Sequence, residues 1–218
     1  MSATASVRAA EPAAIEQVPD WQLSVRATPF PLLIRPEVPL TDDELLEFCR
    51  SNKGFTIECA SDGTLYVMTP AGAKTSRLNA FVARELDIWA EADGRGFSFG
   101  SDLGVRFPDR SMLAPDAAWT FRSRFEELDK SSQDSFLPFC PEFVIELRSP
   151  SDRTSRVEAK METWIARGAK LGWLIDPQRK LAMVYRPERE PETVAQPEFL
   201  LGEDPVFGFR LNMQRFWE

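Results

Sequence analysis

The chain has no histidine in 218 residues. That one absence excludes a Ser-His-Asp or Cys-His relay and any HExxH zinc site. Catalysis must then rest on carboxylates, lysine, cysteine, serine or a metal held by oxygen ligands. Cysteine is scarce as well: only Cys49, Cys59 and Cys140 occur. No two are spaced as CxxC, which speaks against a structural zinc. The odd, scattered count reads as reduced thiols, and Cys59 and Cys140 lie in apolar stretches that suit core positions better than nucleophiles. No run is apolar enough for a membrane span, and the opening MSATASVRAAEPAAIEQVPD lacks the apolar centre of a signal peptide. A cytoplasmic location is expected. Positive charge is short too: 26 Lys and Arg against 34 Asp and Glu leave a net charge of −8. A protein that coats nucleic acid carries the opposite sign. A nuclease whose metal site collects carboxylates remains compatible with an acidic chain.

Hydrophobic residues make up 43% of the chain, enough for a sizeable core. Seventeen prolines and sixteen phenylalanines argue against a simple helical bundle. The length suits one domain, or one domain and a tail. Residues 1–20 are rich in Ala, Ser, Pro and Glu without periodicity and read as a mobile tail. Residues 21–40 carry Trp21, Phe30, Leu32 and Leu33 between prolines and read as an extended arm that packs on the domain or on a second subunit. Residues 41–218 form the domain.

Within it, Thr41 and Glu44 fit a capping box that opens a helix. FTIECA and TLYVMT flank Asp62-Gly63, a strong hairpin signal. Leu78, Phe81, Val82, Leu86 and Trp89 recur at helical spacing in a long helix from about Lys74 to Ala92. Short strands follow in GFSFG, in DLGVRF and from about Ala117, then a loop with a short helix. EFVIELR reads as a central strand, residues 154–167 as a helix, and LGWLID and LAMVYR as paired strands. Residues 186–218 read as loop with apolar anchors such as Phe207, Phe209 and Trp217. This order gives an α/β fold with a mixed sheet and helices on its faces.

In EFVIELR, Phe143, Ile145 and Leu147 point one way, and Val144, Glu146 and Arg148 the other. A carboxylate on a covered face is costly unless paired or metal-bound, so Glu146 reads equally as a solvated strand end or as a site residue. On the following helix, Val157, Met161, Trp164 and Gly168 form the inward stripe. Lys160 falls on that stripe or at its border. Its ammonium either snorkels to water or reaches back to Glu146. Asp116 follows Pro115 at a strand start, where a plain turn residue is also common. As a set, two carboxylates on neighbouring strands can bind one or two Mg2+ ions, and a nearby lysine can orient a nucleophile or offset charge on a scissile phosphate. Between Arg148 and Lys170 six basic residues face three acidic ones, a local +3. This is either a phosphate-facing patch or an ordinary mixed helix surface.

The pieces IECASDGTLYVMTP, SMLAPDAAW, PEFVIELRSPSDR, EAKMETWIARGAKLGWLIDP and EDPVFGFRL, in this order, resemble the Uma-type family of restriction-endonuclease-like proteins of the PD-(D/E)XK nuclease superfamily. The resemblance runs from about Thr41 to the C-terminus. It implies a restriction-endonuclease-like α/β core and a metal, Mg2+ with Mn2+ as substitute, held by Asp116, Glu146 and the main-chain carbonyl of Leu147. The (D/E)XK lysine would fall at position 148, where this chain has Arg148. The Uma-type pattern moves that lysine onto the next helix, at Lys160. Glu58 matches a glutamate of the family's first hairpin and is a candidate third site carboxylate. Glu85, on the long helix, is a weaker candidate.

Three functions follow as alternatives. One is a metal-dependent endonuclease acting on DNA, which would have to dimerise to cut both strands together. Another is a catalytically inactive nuclease-fold binding or assembly module. The third is a hydrolase of a small phosphorylated substrate, which would need a closed pocket.

Overall fold

The computed structural model describes residues 31–218. The expected tail at 1–20 and the first half of the expected arm lie outside these residues. The elements in chain order are β1 (Leu32–Ile34), α1 (Asp42–Ser51), β2 (Thr56–Cys59), β3 (Leu65–Met68), α2 (Ala73–Asp93), β4 (Gly96–Phe99), β5 (Val105–Arg106), β6 (Met112–Leu113), β7 (Ala117–Phe121), α3 (Arg122–Glu126), α4 (Lys130–Gln133), β8 (Phe143–Leu147), α5 (Thr154–Ala166), β9 (Leu171–Asp176), β10 (Leu181–Tyr185), β11 (Glu192–Ala195), β12 (Phe199–Leu201) and β13 (Arg210–Asn212).

Local chemistry sets several of these boundaries. Thr41 caps α1 as a capping box: the Glu44 N–H donates to Thr41 Oγ1, and the Thr41 N–H donates to Glu44 Oε2 at 2.8 Å. Between β2 and β3 the Thr64 N–H donates to Asp62 Oδ1, and Gly63 takes a φ of +84°, which suits glycine. Helix α2 stops at Gly94 in the left-handed region.

Six strands form the central sheet in the order β11-β10-β9-β8-β7-β4. Among its pairs only β8 and β9 run parallel, and α5 makes the crossover that a parallel pair needs. Helix α2 and the segment from β12 onward cover one face, burying Leu78, Val82 and Leu86 against Trp119, Phe143 and Trp173. Helix α5 covers the other, with Val157, Met161 and Trp164 against Ala118, Val144 and Leu174. It lies so close that a Cβ on Gly172 would clash with the Met161 side chain. A smaller sheet, β1-β3-β2-β6-β5, packs on α1 through Leu45, Ile57, Leu65 and Val67. Strand β1, from the stretch expected as an arm, pairs with β3.

The mixed sheet between helices is as expected, and Phe143, Ile145 and Leu147 do share one core while Val144 faces the other. The C-terminal segment is a correction. In place of a loop it forms β11 on the sheet edge and a β12–β13 pair. Phe209 and Phe216 are its buried anchors, whereas Phe207 is 78% exposed. Phe209 stacks on Trp173 with ring centroids 5.4 Å apart, so the last strands close the α2 face of the core.

Candidate active site

Both sheets meet along the segment Ala114-Pro115-Asp116, which joins β6 to β7. At that seam the structure brings together four residues expected from the sequence: Glu58 from β2, Asp116, Glu146 from β8 and Lys160 from α5. Lys160 Nζ lies 2.8 Å from Glu58 and 2.8 Å from Glu146, and donates to the Ala114 carbonyl at 2.7 Å. Its reach is therefore inward, toward Glu146, as the helix stripe suggested. Asp116 stands beside them. Its Oδ2 accepts the Leu147 N–H at 2.7 Å, and its own N–H donates to the Ile145 carbonyl. The backbone of β8 thus clamps Asp116 next to Glu146.

Two partners were not visible in the sequence. The Trp164 indole N–H donates to Glu146 Oε1 at 2.8 Å. Asn79, on α2, donates from its amide to Asp116 Oδ1 at 2.8 Å. Trp164 reads from sequence only as a core residue. Asn79 adjoins Leu78 on the inward side of α2, a weak signal at best.

One weaker candidate falls outside the cluster: Glu85 pairs with Arg84 on the outer part of α2. Arg148, at the (D/E)XK position, lies against the fully buried Asp176, with further bonds to Gln178 and the Asp152 carbonyl. It ties together the C-terminal ends of β8 and β9, the two middle strands of the sheet.

The electrostatics follow from enclosure. Glu58 and Glu146 are only 6% and 4% exposed. Burial raises the pKa of Glu146 well above the usual carboxylate range, and the Lys160 charge only partly offsets this. Burial raises Asp116 as well, against Lys160 and the Leu147 N–H. For Lys160 burial works the other way, yet Glu146, Glu58 and Asp116 together outweigh it and hold the ammonium above its usual pKa. The lysine is a firmly charged donor.

Among the described residues no three His, Cys, Asp or Glu side chains are gathered into a cation-sized group. The reason is geometric: the Lys160 ammonium sits between Glu58 and Glu146. A smaller oxygen donor set does fit a hard divalent ion, because Mg2+ is commonly held by one or two carboxylates and completes its shell with water and phosphate. Asp116 and Glu146 supply two such carboxylates, whose ionisation a cation would favour. Asn79, whose amide nitrogen holds Asp116, has its own Oδ1 buried without a hydrogen-bond partner, an oxygen that a cation or its water shell could satisfy.

A mixed sheet between helices, with a carboxylate–lysine cluster where it meets a second sheet, defines a restriction-endonuclease-like nuclease fold. The same fold is found in the crystal structure, at 1.96 Å, of a "putative nuclease belonging to DUF820" from Anabaena variabilis ATCC 29413. It is 22% identical, with a TM-score of 0.67 over 82% of this chain and 98% of that one. The chain belongs to the Uma2 family, described as "putative restriction endonuclease", whose model matches residues 42–214. No curated protein matches it. Among the described residues no helix is long and apolar enough to cross a membrane.

Proposed function

We propose that the chain hydrolyses DNA phosphodiester bonds as a metal-dependent endonuclease of the cytoplasm, with Mg2+ as the ion and Mn2+ as its substitute. The observation that supports this reading is the enclosed cluster in which Lys160 touches Glu58 and Glu146 while Asp116 is clamped beside them. Asp116, Glu146 and the main-chain carbonyl of Leu147 would hold the ion. When bound, such an ion polarises a phosphoryl oxygen and acidifies a water.

The chain's own residues do the rest. Lys160, with its raised pKa, serves as donor and positive charge rather than as a base at neutral pH. Once one of its three acceptors gives way, the freed N–H orients the attacking water, and its charge offsets the negative charge that builds on the phosphate. Glu58 holds that ammonium from the smaller sheet. Trp164 and Asn79 fix the two carboxylates so that little reorganisation is needed during reaction. One such site per chain cuts both strands together only in a homodimer.

A second reading, an inactive nuclease-fold binding or assembly module, rests on one feature. The Lys160 ammonium has three acceptors already, from Glu58, Glu146 and Ala114. If that knot never opens, nothing reacts.

The test is cleavage of mixed DNA substrates with Mg2+ or Mn2+ by wild type, Glu146→Gln and Lys160→Ala, with folding checked by circular dichroism. Cleavage by wild type alone supports the nuclease. No cleavage by wild type, together with no divalent-metal binding by calorimetry, replaces it with the binding module.

A further inference from the structure

Arg156 lies four residues before Lys160 on α5, about 6 Å along the helix axis. Its guanidinium sits over the ring of Tyr66, 5.2 Å from the centroid. Its ion-pair partner is Glu58, whose Oε2 is 3.7 Å away, beyond hydrogen-bond length, and the Arg156 side chain is 39% exposed. Arg153, at the start of α5, is exposed and pairs with no carboxylate, but three other arginines of this region are engaged more tightly. Arg148 and Arg179 both hydrogen-bond Asp176, and Arg167 hydrogen-bonds Asp109. Unlike these three, Arg156 has no hydrogen bond to a carboxylate.

The surface beneath it also differs. In the β2–β3 register Glu58 faces Tyr66 and Thr56 faces Met68. These four share one face of the hairpin, while Leu65 and Val67 turn into the core on the other. Tyr66 and Met68 are only half-buried. The hairpin therefore presents an open face, with Arg156 laid across it, that leads to Glu58 and so to Lys160.

The geometry points to Arg156 as a phosphate-gripping residue for the nucleic-acid backbone flanking the reacting phosphate, with Tyr66 as its stacking support. This rests on the nuclease reading. Stacking fixes the guanidinium plane, and its edge carries only a long contact from Nη2 to Met68 Sδ at 3.9 Å and the loose Glu58 pair, both of which the bidentate contact of a phosphate would replace. The rise of about 6 Å to Lys160 places Arg156 beside a phosphate next to the reacting one rather than on the reacting one itself. In the free protein Glu58 acts as a loose counter-ion that a phosphate can displace.

The test measures binding rather than turnover. A fluorescently labelled mixed-sequence DNA duplex is titrated with full-length protein in Ca2+ at several salt concentrations and followed by anisotropy. Wild type is compared with Arg156→Ala, Arg156→Lys, Tyr66→Ala and, as a control in the β10–β11 turn, Arg189→Ala. Arg156→Ala should weaken binding, and its plot of log affinity against log salt should be shallower by about 0.9, one phosphate contact. Arg156→Lys should keep the wild-type slope but bind more weakly, because the fork is lost. Tyr66→Ala should weaken binding in the same direction, and Arg189→Ala should match wild type. A wild-type slope and affinity in Arg156→Ala would overturn the assignment and leave the nuclease reading standing. No binding by wild type would overturn both.

Discussion

Trp164 donates its indole N–H to Glu146 Oε1 at 2.8 Å, so the helix that carries Lys160 also fixes the carboxylate to which Lys160 is paired. Both residues are buried, at 0% and 4% exposure. Trp164→Phe keeps an aromatic ring in the core and removes the donor. A buried acceptor that loses its partner costs about 1–3 kcal/mol. Lys160 still contacts Glu146, which places the expected loss in the lower half of that range. Urea denaturation reads it directly, and an unchanged midpoint would show that the indole contact does not hold Glu146.

The protonation of Glu146 gives the metal-free protein an unusual pH profile. Burial lifts this carboxyl from its usual 4.5 to about 8 in the folded state. Between those values the folded chain holds a proton that the unfolded chain releases, so stability falls as pH rises through the window. Asp116 is shifted in the same direction by burial. Lys160, raised by its three carboxylates, stays charged in both states over this range and adds no slope to it; its contribution is lost only above its usual pKa of 10.5. The melting temperature in EDTA is therefore expected to drop from pH 5 to pH 9. Glu146→Gln should flatten the drop. A profile that rises over this range in wild type would mean that these carboxyls ionise freely.

Much of this cluster was legible because its key pair is local. Glu146 and Lys160 lie on a strand and the helix that follows it, close enough for the sequence to set them as one of two readings, with Glu58 supplied by the family resemblance. The partners from elsewhere were not legible. Asn79 reaches Asp116 from 37 positions away, and nothing in an amphipathic pattern tells a polar helix residue that finds a carboxylate from one that finds water. Glu85 went the other way. It sits between Val82 and Trp89, but the inward stripe runs through Leu86 and Ala90, and Glu85 falls on its flank beside Arg84. The C-terminal strands escaped because they are three or four residues long, and alternation over so few positions carries no signal. The mixed sheet was clearer, since long apolar runs such as LGWLID need cover on both faces.

Arg148 occupies the sequence position of a nuclease lysine, yet its side chain belongs to the fold. It is 12% exposed against an Asp176 that is 0% exposed, with bonds of 3.1 and 3.2 Å. Removing one partner of a buried pair costs about 3–5 kcal/mol. Arg179 Nε remains on Asp176 at 2.7 Å, so Arg148→Ala should lose less than that. Burial of Asp176 alone would raise its pKa, but the Arg179 N–H, its guanidinium and Arg148 outweigh this and lower it. That stability is lost as pH falls through the folded pKa, and Arg148→Ala should unfold at a higher pH than wild type on acid titration. The salt dependence of DNA binding should not change. A shallower slope in Arg148→Ala would instead place the residue on the nucleic-acid backbone.

Asn79 offers the sharpest test of where a cation sits. Its amide nitrogen holds Asp116 Oδ1 at 2.8 Å, and its Oδ1 is buried without a partner. Losing a group that orients a metal ligand typically costs about 10–100-fold in affinity. Mn2+ titrated calorimetrically into Asn79→Ala at pH 8 should show a loss of that order. The direction should reverse in Asn79→Asp, because a third carboxylate beside Asp116 and Glu146 attracts the ion more strongly. The same change should lower the melting temperature in EDTA, where like charges in an enclosed site repel, and Mn2+ should restore it. The two variants thus move affinity in opposite directions while both weaken the metal-free fold. If both titrate like wild type, the ion does not sit against Asp116, and the unpartnered amide oxygen needs another explanation.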